Sequence, residues 1–187
     1  PVPGRDALVG QIPSWKNRFL AYSNYATAGL DDIIGDGDLQ DALRLEAAFL
    51  ASAWISREEG RFELRQLPIE AQFAPQYGIQ VIQDGRKNGS QVLMVGNFHG
   101  NETVTGRYDA SYGTHLNVVN GEFKTKSLSE SGFLVSGQGR ALSSMVNKNG
   151  ELLILVSQHA DSLKVFRHKA SNTPIATIRI GVLDFKI

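Results

Sequence analysis

The sequence lacks cysteine, an excess of either charge and long apolar runs, and each absence excludes a class of protein. Because none of the 187 residues is cysteine, disulfides, thiolate metal sites and a cysteine nucleophile are ruled out. The 19 basic and 19 acidic residues balance, whereas a generic nucleic-acid-binding domain usually carries a basic excess. No run of about 18 apolar residues occurs, so no membrane-spanning helix is predicted. We therefore expect neither nucleic acid nor a membrane span.

Glycine is common where proline is scarce. The 19 glycines against six prolines predict many tight turns and hence β-structure. A length of 187 residues corresponds by itself to one ordinary domain. The chain starts at Pro1 with neither an initiator methionine nor a signal peptide, so we expect it to be part of a longer protein.

The first quarter of the chain has helical patterning. From Ser14 onward, apolar residues recur at spacings near three and four, which places them on one helical face. Thr27 is the predicted cap of a second helix that ends at Gly35, and Asp38 is the predicted cap of a third. We therefore predict a helical segment over residues 1–48. The apolar residues of the first helix are Trp15, Phe19, Leu20 and Tyr22.

After about residue 49, short runs rich in β-branched and aromatic residues alternate with glycine-containing turns. The dipeptides Asn120-Gly121 and Asn149-Gly150 are typical of two-residue hairpins. Such runs predict an antiparallel meander of short strands. The predicted strands cover residues 49–56, 61–67, 78–83, 91–96, 114–119, 122–128, 139–146, 151–157, 162–168 and 174–186.

The most informative feature is an internal repeat. The segment GRFELRQL at residues 60–67 matches GEFKTKSL 61 residues later, and KNGSQVLMV at residues 87–95 matches KNGELLILV at the same offset. A period of this size containing four strands is the signature of a β-propeller blade. Residues 49–187 then hold about two and a half blades, one partial and two nearly complete, fewer than the four or more of a closed propeller. We expect either a fragment of a larger propeller or an open or oligomeric assembly of sheets.

These repeats resemble the FG-GAP/VCBS repeats of integrin-α-type β-propellers, and the chain is similar to the C-terminal portion of large bacterial surface proteins that carry them. The resemblance extends over residues 19–168 and includes LPIEAQFAPQYGIQVIQD, VLMVGNF and GRYDASYGTHL. The helical residues 19–33 are similar to an insertion that interrupts a late blade. The resemblance implies a mainly β fold, a partial β-propeller with an N-terminal helical insertion or cap. It also implies an extracellular, cell-surface or periplasmic location and a binding role without catalysis.

The family's calcium loop is degenerate in this sequence. Its pattern, Asp-x-Asp-x-Asp-Gly-x-x-Asp, supplies the oxygen ligands that a hard cation prefers. Here only Asp84 and Asn88 remain as candidate ligands, while Arg86 and Lys87 bring positive charge that opposes a divalent cation. We therefore predict plain turns, with no metal and no cofactor, and calcium at this loop is the less favoured alternative.

A polar segment at residues 97–111 is the candidate ligand-binding loop. It is much longer than a hairpin turn, and long loops on a rigid β-scaffold concentrate binding residues. Arg107 can hold a carboxylate, and Tyr108 and Tyr112 offer flat faces suited to sugars or peptides. In the alternative interpretation, Arg107 and Asp109 pair with each other or with backbone and only pin the loop. The candidate residues are Asn97, His99, Asn101, Arg107, Tyr108, Asp109 and Tyr112.

Catalytic patterns are missing from the sequence. The four histidines show no HExxH or HxxxH spacing, and no G-x-S-x-G elbow occurs. We therefore predict a non-catalytic module that binds a protein or a glycan. The alternatives are a purely structural segment that completes or caps the propeller and, with least support, a carbohydrate-active propeller enzyme. The remaining blades of the parent protein are expected partners, and exposed blade edges would also allow homo-oligomers.

Overall fold

A computed structural model describes residues 4–35, 43, 45–83, 89–103, 105–168 and 176–179, the last four by their backbone. The chain divides into two units, Pro1–Phe49 and Leu50–Ile187. In the first unit, the described helices are α1 (Arg5–Gln11), a 3₁₀ helix (Pro13–Asn17), α2 (Tyr22–Ala26) and α3 (Leu30–Ile34).

A small apolar cluster lies within the helical unit. Phe19, Tyr25 and Ile33 are buried, and the rings of Phe19 and Tyr25 meet edge to face with centroids 5.4 Å apart. The single helix predicted from Ser14 is wrong, because Pro13 opens a 3₁₀ helix, an element that rarely lasts more than a few residues. Of the predicted apolar face, Trp15 and Phe19 join this cluster, whereas Leu20 and Tyr22 are exposed.

The ends of α3 test the predicted caps. The helix begins after Gly29, whose N–H donates to the Asp32 carboxylate at 2.9 Å. The predicted cap Thr27 is wrong, because its hydroxyl donates back to carbonyl groups of α2. Gly35 ends the helix as predicted, at a φ of 93°. The third helix, predicted from Asp38, lies outside the described residues.

The described residues of the second unit form three antiparallel sheets, so the mainly β prediction is confirmed. The first sheet is a hairpin of β1 and β2, the second has the order β3-β4-β5-β6, and the third pairs β7 to β10 in chain order. Two short helices, a 3₁₀ helix (Ile69–Gln72) and α4 (Leu128–Ser131), lie between them. The strands are β1 (Ala53–Glu58), β2 (Arg61–Gln66), β3 (Gln76–Gln83), β4 (Gly89–Gly96), β5 (Thr114–Val119), β6 (Glu122–Thr125), β7 (Gly139–Val146), β8 (Leu152–Gln158), β9 (Lys164–Arg167) and β10 (Ala176–Arg179).

The repeat is visible in two equivalent hairpins. β5 and β6 begin 61 residues after β1 and β2, respectively. The turn Glu59-Gly60 has φ values of 49° and 84°, and Asn120-Gly121 has 53° and 79°. Two consecutive residues with positive φ define the hairpin turn that matches strand twist and favours glycine at its second position. The 61-residue offset is thus a structural offset for these hairpins.

The second and third sheets share one buried core. Leu93 and Val95 of β4, and Ile154 and Val156 of β8, are all completely buried in a single cluster. The sheets approach closely, since a Cβ on Gly139 would lie 2.5 Å from the Cβ of Val95. Each sheet has a β-bulge near the start of its first strand, and counted from this bulge the equivalent of Leu93 is Leu155. Ile154 and Val156 therefore lie on the opposite face of their sheet, and opposite faces of the two repeats meet in this core.

The first hairpin covers the other face of the second sheet. The ring of Trp54 lies 5.5 Å, centroid to centroid, from that of Phe123. Leu67, which follows the hairpin, joins Met94 and Leu116 in a second apolar cluster. The second sheet is therefore the central layer of three and is packed on both faces, which makes it the rigid support of the candidate loop.

Candidate functional site

The candidate loop at residues 97–111 is fixed at its base by Asn97. This side chain is 1% exposed, and its amide donates to the backbone O of Ser111 at 2.8 Å, of Ser136 at 3.3 Å and of Gly137 at 3.2 Å. Its Oδ1 accepts from the Ser111 N–H at 3.1 Å. A buried amide in such a network is costly to remove, because it would leave several buried backbone groups unpaired. Asn97 therefore closes the loop.

A two-residue bridge continues the base of the loop. The backbones of Phe98 and Tyr108 exchange two hydrogen bonds, both of 2.8 Å. This pairing brings the two arms of the loop side by side before the chain reaches its tip. The segment between them is consequently held at both ends.

Arg140 of β7 links the loop to the third sheet. Its guanidinium donates to the Asn97 backbone O at 3.0 Å and lies 4.5 Å from the centroid of the Tyr77 ring. It also donates to Oε1 of Gln138 at 2.9 Å, and the same oxygen accepts from the His99 N–H at 3.0 Å. Arg140 thus holds the loop base against the sheets.

Besides Asn97, two of the predicted residues lie in this enclosed base. His99 is half-buried, and its Nε2 is buried without a hydrogen-bond partner within the described residues. The same holds for Nδ2 of Asn101. Both side chains are therefore less accessible to a ligand than the sequence suggested.

The other predicted residues are exposed. Arg107, Tyr108 and Asp109 lie on the surface of the loop, and Tyr112 follows it. Arg107 and Asp109 form no ion pair in the part of the chain that the structure describes, so the pinning proposed for them is not observed there. The loop is pinned instead by Asn97, through its hydrogen bonds to the carbonyl groups around it.

A cleft of about 410 Å³ lies beside the C-terminal end of the loop. Tyr112 brings the loop to this cleft, and the other walls come from the segment before β3 and from the end of β6 with α4. Its principal side chains are Glu70, Phe73, Tyr112, Thr125, Lys126, Leu128 and Glu130.

Hydroxyl groups hold both carboxylates of the cleft in place. Oε2 of Glu70 accepts from the Thr125 hydroxyl at 2.8 Å. Oε2 of Glu130 accepts from the Ser127 hydroxyl at 2.6 Å and from the Ser127 N–H at 2.8 Å. The Ser127 hydroxyl, followed by the Ser127 N–H, lowers the pKa of Glu130, so this group stays ionised. A lowered pKa is the opposite of what a general acid for glycoside cleavage needs.

Sequence reasoning missed α4 and with it part of the cleft. A strand was predicted through residue 128, but β6 ends at Thr125. Ser127 and Glu130 form a reciprocal capping box, and Gly132 ends the helix at a φ of 64°. The pattern Ser-x-x-Glu followed by glycine was the available signal.

A second polar pair is buried in the core between the second and third sheets. His115 is 3% exposed and its Nε2 lies 2.9 Å from Oε1 of Gln91. Burial lowers the pKa of His115 to about 4, and the nearby charges of Lys126 and His168 act in the same direction. His115 lies opposite Leu93 in its sheet. His115 is therefore neutral at pH 7 and belongs to the core.

Among the described residues, no three histidines, aspartates or glutamates are grouped so that they could hold a metal ion. The candidate calcium ligands Asp84 and Asn88 lie outside the described residues. Nor does the described part contain a helix long and apolar enough to span a membrane. Comparisons of the chain with family models, with curated proteins and with solved structures find no match.

Proposed function

We propose that this chain is a non-catalytic binding module for a protein or a glycan, acting at the cell surface or in the periplasm. The observation that supports this function best is the loop at residues 97–111, which is fixed at its base and exposed at its tip. Binding residues are concentrated on such loops when a rigid scaffold positions them.

The fixed base lowers the cost of binding. Because Asn97 and the bridge between Phe98 and Tyr108 already order the arms of the loop, a ligand has less conformational entropy to remove. The exposed tip carries Arg107, which can donate two hydrogen bonds to a carboxylate, and the Tyr108 ring, which is 49% exposed. Binding would involve this surface and no bond-making step.

The test is a variant with Arg107, Tyr108 and Asp109 all replaced by alanine, compared with the unaltered chain on arrays of glycans and of peptides. We expect binding to fall by at least about tenfold, which corresponds to about 1.4 kcal/mol, with the melting temperature unchanged. The matched control replaces Arg61 and Phe62, an exposed cation and ring on the first hairpin, and should bind normally. Absence of binding by the unaltered chain to either array would contradict the proposal.

A second candidate function is structural, and the outward face of the first hairpin favours it. Ile55, Phe62 and Leu64 are exposed there, Phe62 by 77%. At the 61-residue offset, Ile55 and Phe62 correspond to Leu116 and Phe123, which pack in a covered cluster. In this interpretation the hairpin is the outer half of a blade, the chain supplies about two and a half blades of a partial propeller, and further blades of a parent protein cover this face.

The packing of the second sheet on the third supports this interpretation as well, because opposite faces of the two repeats meet there, as they do between successive blades. Replacing Phe62 and Leu64 by serine tests the structural role through sedimentation in solution. If the face is an interface, the unaltered chain should self-associate at micromolar concentration and the variant should not. If the unaltered chain is monomeric, no second copy of the chain covers the outward face of the first hairpin.

A further inference from the structure

We propose that the cleft beside the loop binds a sugar ring of a glycan. This inference deepens the proposed binding function and rests on it, since it names the class of ligand and the side chains that hold it. It arises from the composition of the cleft, which combines exposed aromatic and aliphatic side chains with two carboxylates that hydroxyl groups orient.

The apolar walls suit the carbon face of a sugar. Phe73 and Tyr112 are 48% and 58% exposed, respectively, and Leu128 is exposed beside them. Aromatic rings open to solvent at a concave surface can cover the C–H face of a pyranose, and tyrosine adds a hydroxyl that can hydrogen-bond to the same ligand. Grouped exposure of large apolar side chains marks an interaction site more often than a random surface.

The carboxylates provide acceptors for sugar hydroxyls. In both Glu70 and Glu130, Oε2 accepts from a neighbouring hydroxyl, while Oε1 has no hydrogen-bond partner within the described residues. An ionised carboxylate only accepts hydrogen bonds, so the open oxygens require a ligand rich in donors. Thr125 and Ser127 orient these acceptors before the ligand arrives, which reduces the entropy that binding must remove.

Charge and size favour a sugar over a basic peptide. Lys126 also lines the cleft and offsets one of the two negative charges, which weakens the attraction for a strongly cationic ligand. The positive charge of Lys126 does not repel a neutral ligand with many hydroxyl groups. The volume of about 410 Å³ lies within the range of small-molecule sites, roughly 300 to 1,000 Å³, and suits a mono- or disaccharide.

The experiment uses saturation-transfer NMR with the methyl glycosides of glucose, galactose, mannose and N-acetylglucosamine, followed by titration calorimetry of the one that binds. Tyr112→Ala and Glu70→Gln should each weaken that binding by about tenfold or more. The matched controls are Phe49→Ala, an exposed ring outside the cleft, and Glu122→Gln, an exposed carboxylate on β6. Both controls should bind as the unaltered chain does, and all four variants should keep its melting temperature.

Three results would overturn the cleft as a sugar site. In the first, both cleft variants still bind the sugar, but binding is lost when Arg107, Tyr108 and Asp109 are replaced. The proposed function would then stand, and the sugar site would be the loop and not the cleft. Binding of basic peptides, with loss on Glu70→Gln and no sugar signal, would assign the cleft to a different ligand class. Absence of any sugar or peptide binding would overturn this inference and the proposed function together.

Discussion

The second and third sheets are built from the same repeat and differ in what their strands enclose and connect. In the second sheet, residues 97–113 join β4 to β5, whereas in the third sheet residues 159–163 join β8 to β9. The buried pairs of β4 and β8 nevertheless lie in one cluster. The comparison shows that the two sheets share a core and differ in the connection, which is where the candidate loop lies.

The two sheets also differ in what they contribute to the shared core. The second sheet places His115 opposite Leu93, and the third places Phe166 opposite Ile154. His115 needs Gln91 as its partner, while Phe166 only needs apolar neighbours such as Phe133, whose ring centroid is 4.9 Å away. The second sheet therefore contributes a titratable group to this core, whereas the third contributes apolar side chains.

The largest effect is expected where the two sheets are alike. Leu93→Ala and Ile154→Ala each remove a completely buried side chain from the shared cluster and should lower the free energy of unfolding by about 2–5 kcal/mol. Denaturant unfolding should remain one cooperative transition in both variants, because the two sheets share this core. Two separate transitions would contradict the shared core, and Val119→Ala, at an exposed position of β5, is the control with a small effect.

An intermediate effect is expected where the two cores differ. In the unfolded chain His115 has its ordinary pKa of 6.5 and binds a proton below that pH. In the folded chain the pKa of His115 is about 4, so the same proton binds only at lower pH. The stability that depends on neutral His115 is therefore complete above pH 6.5 and is lost as the pH falls to about 4. The lowering of the His115 pKa from 6.5 to about 4 corresponds to about 3 kcal/mol in the free energy of unfolding.

His115→Phe, which replaces the titratable ring by an apolar one, tests this difference. The free energy of unfolding of the variant should vary less between pH 6.5 and pH 4 than that of the unaltered chain. At pH 8 the variant should be slightly less stable, since it leaves the buried Gln91 amide without its partner. His159→Phe is the control, because His159 is exposed. An unchanged pH dependence in His115→Phe would show that His115 is not the titrating group.

The smallest effect on stability is expected at the loop base. Asn97→Gly keeps the positive φ of 75° accessible and removes only the side-chain hydrogen bonds, so it should cost about 1–3 kcal/mol. Hydrogen exchange should become faster at Ser111, whose N–H loses its acceptor, and remain slow in β8. Equal acceleration in both places would mean that Asn97 supports the whole unit rather than the loop.

The β-rich part of the fold could be predicted because its information is local. The Asn120-Gly121 turn and the alternation around it specify a hairpin whatever surrounds them, and the predicted strand at residues 114–119 matches β5. The helix predicted from Ser14 was wrong, because Pro13 begins a short 3₁₀ helix and only Trp15 and Phe19 of the predicted apolar face join the cluster. The face that each sheet buries depends on contacts between distant residues and on the β-bulges that shift the strand register, which a repeat in the sequence does not specify.

The site was only partly predictable. Tyr112 was found because it follows a long polar segment, whereas Glu70 and Phe73 lie before β3 and reach the cleft only through the fold. Asn97 and His99 were expected at a binding surface because they are polar, but their surroundings enclose them. Composition identifies a loop, and only packing decides which of its polar side chains support it.

The closure of the loop by Asn97 has a consequence for protein engineering. Since the amide of Asn97 joins both ends of the segment, the residues between Asn101 and Tyr108 can change in length and sequence while the sheets below them stay the same. Longer inserts at such a point add little closure entropy. The tip of the loop is thus a position at which foreign peptides could be displayed on this scaffold.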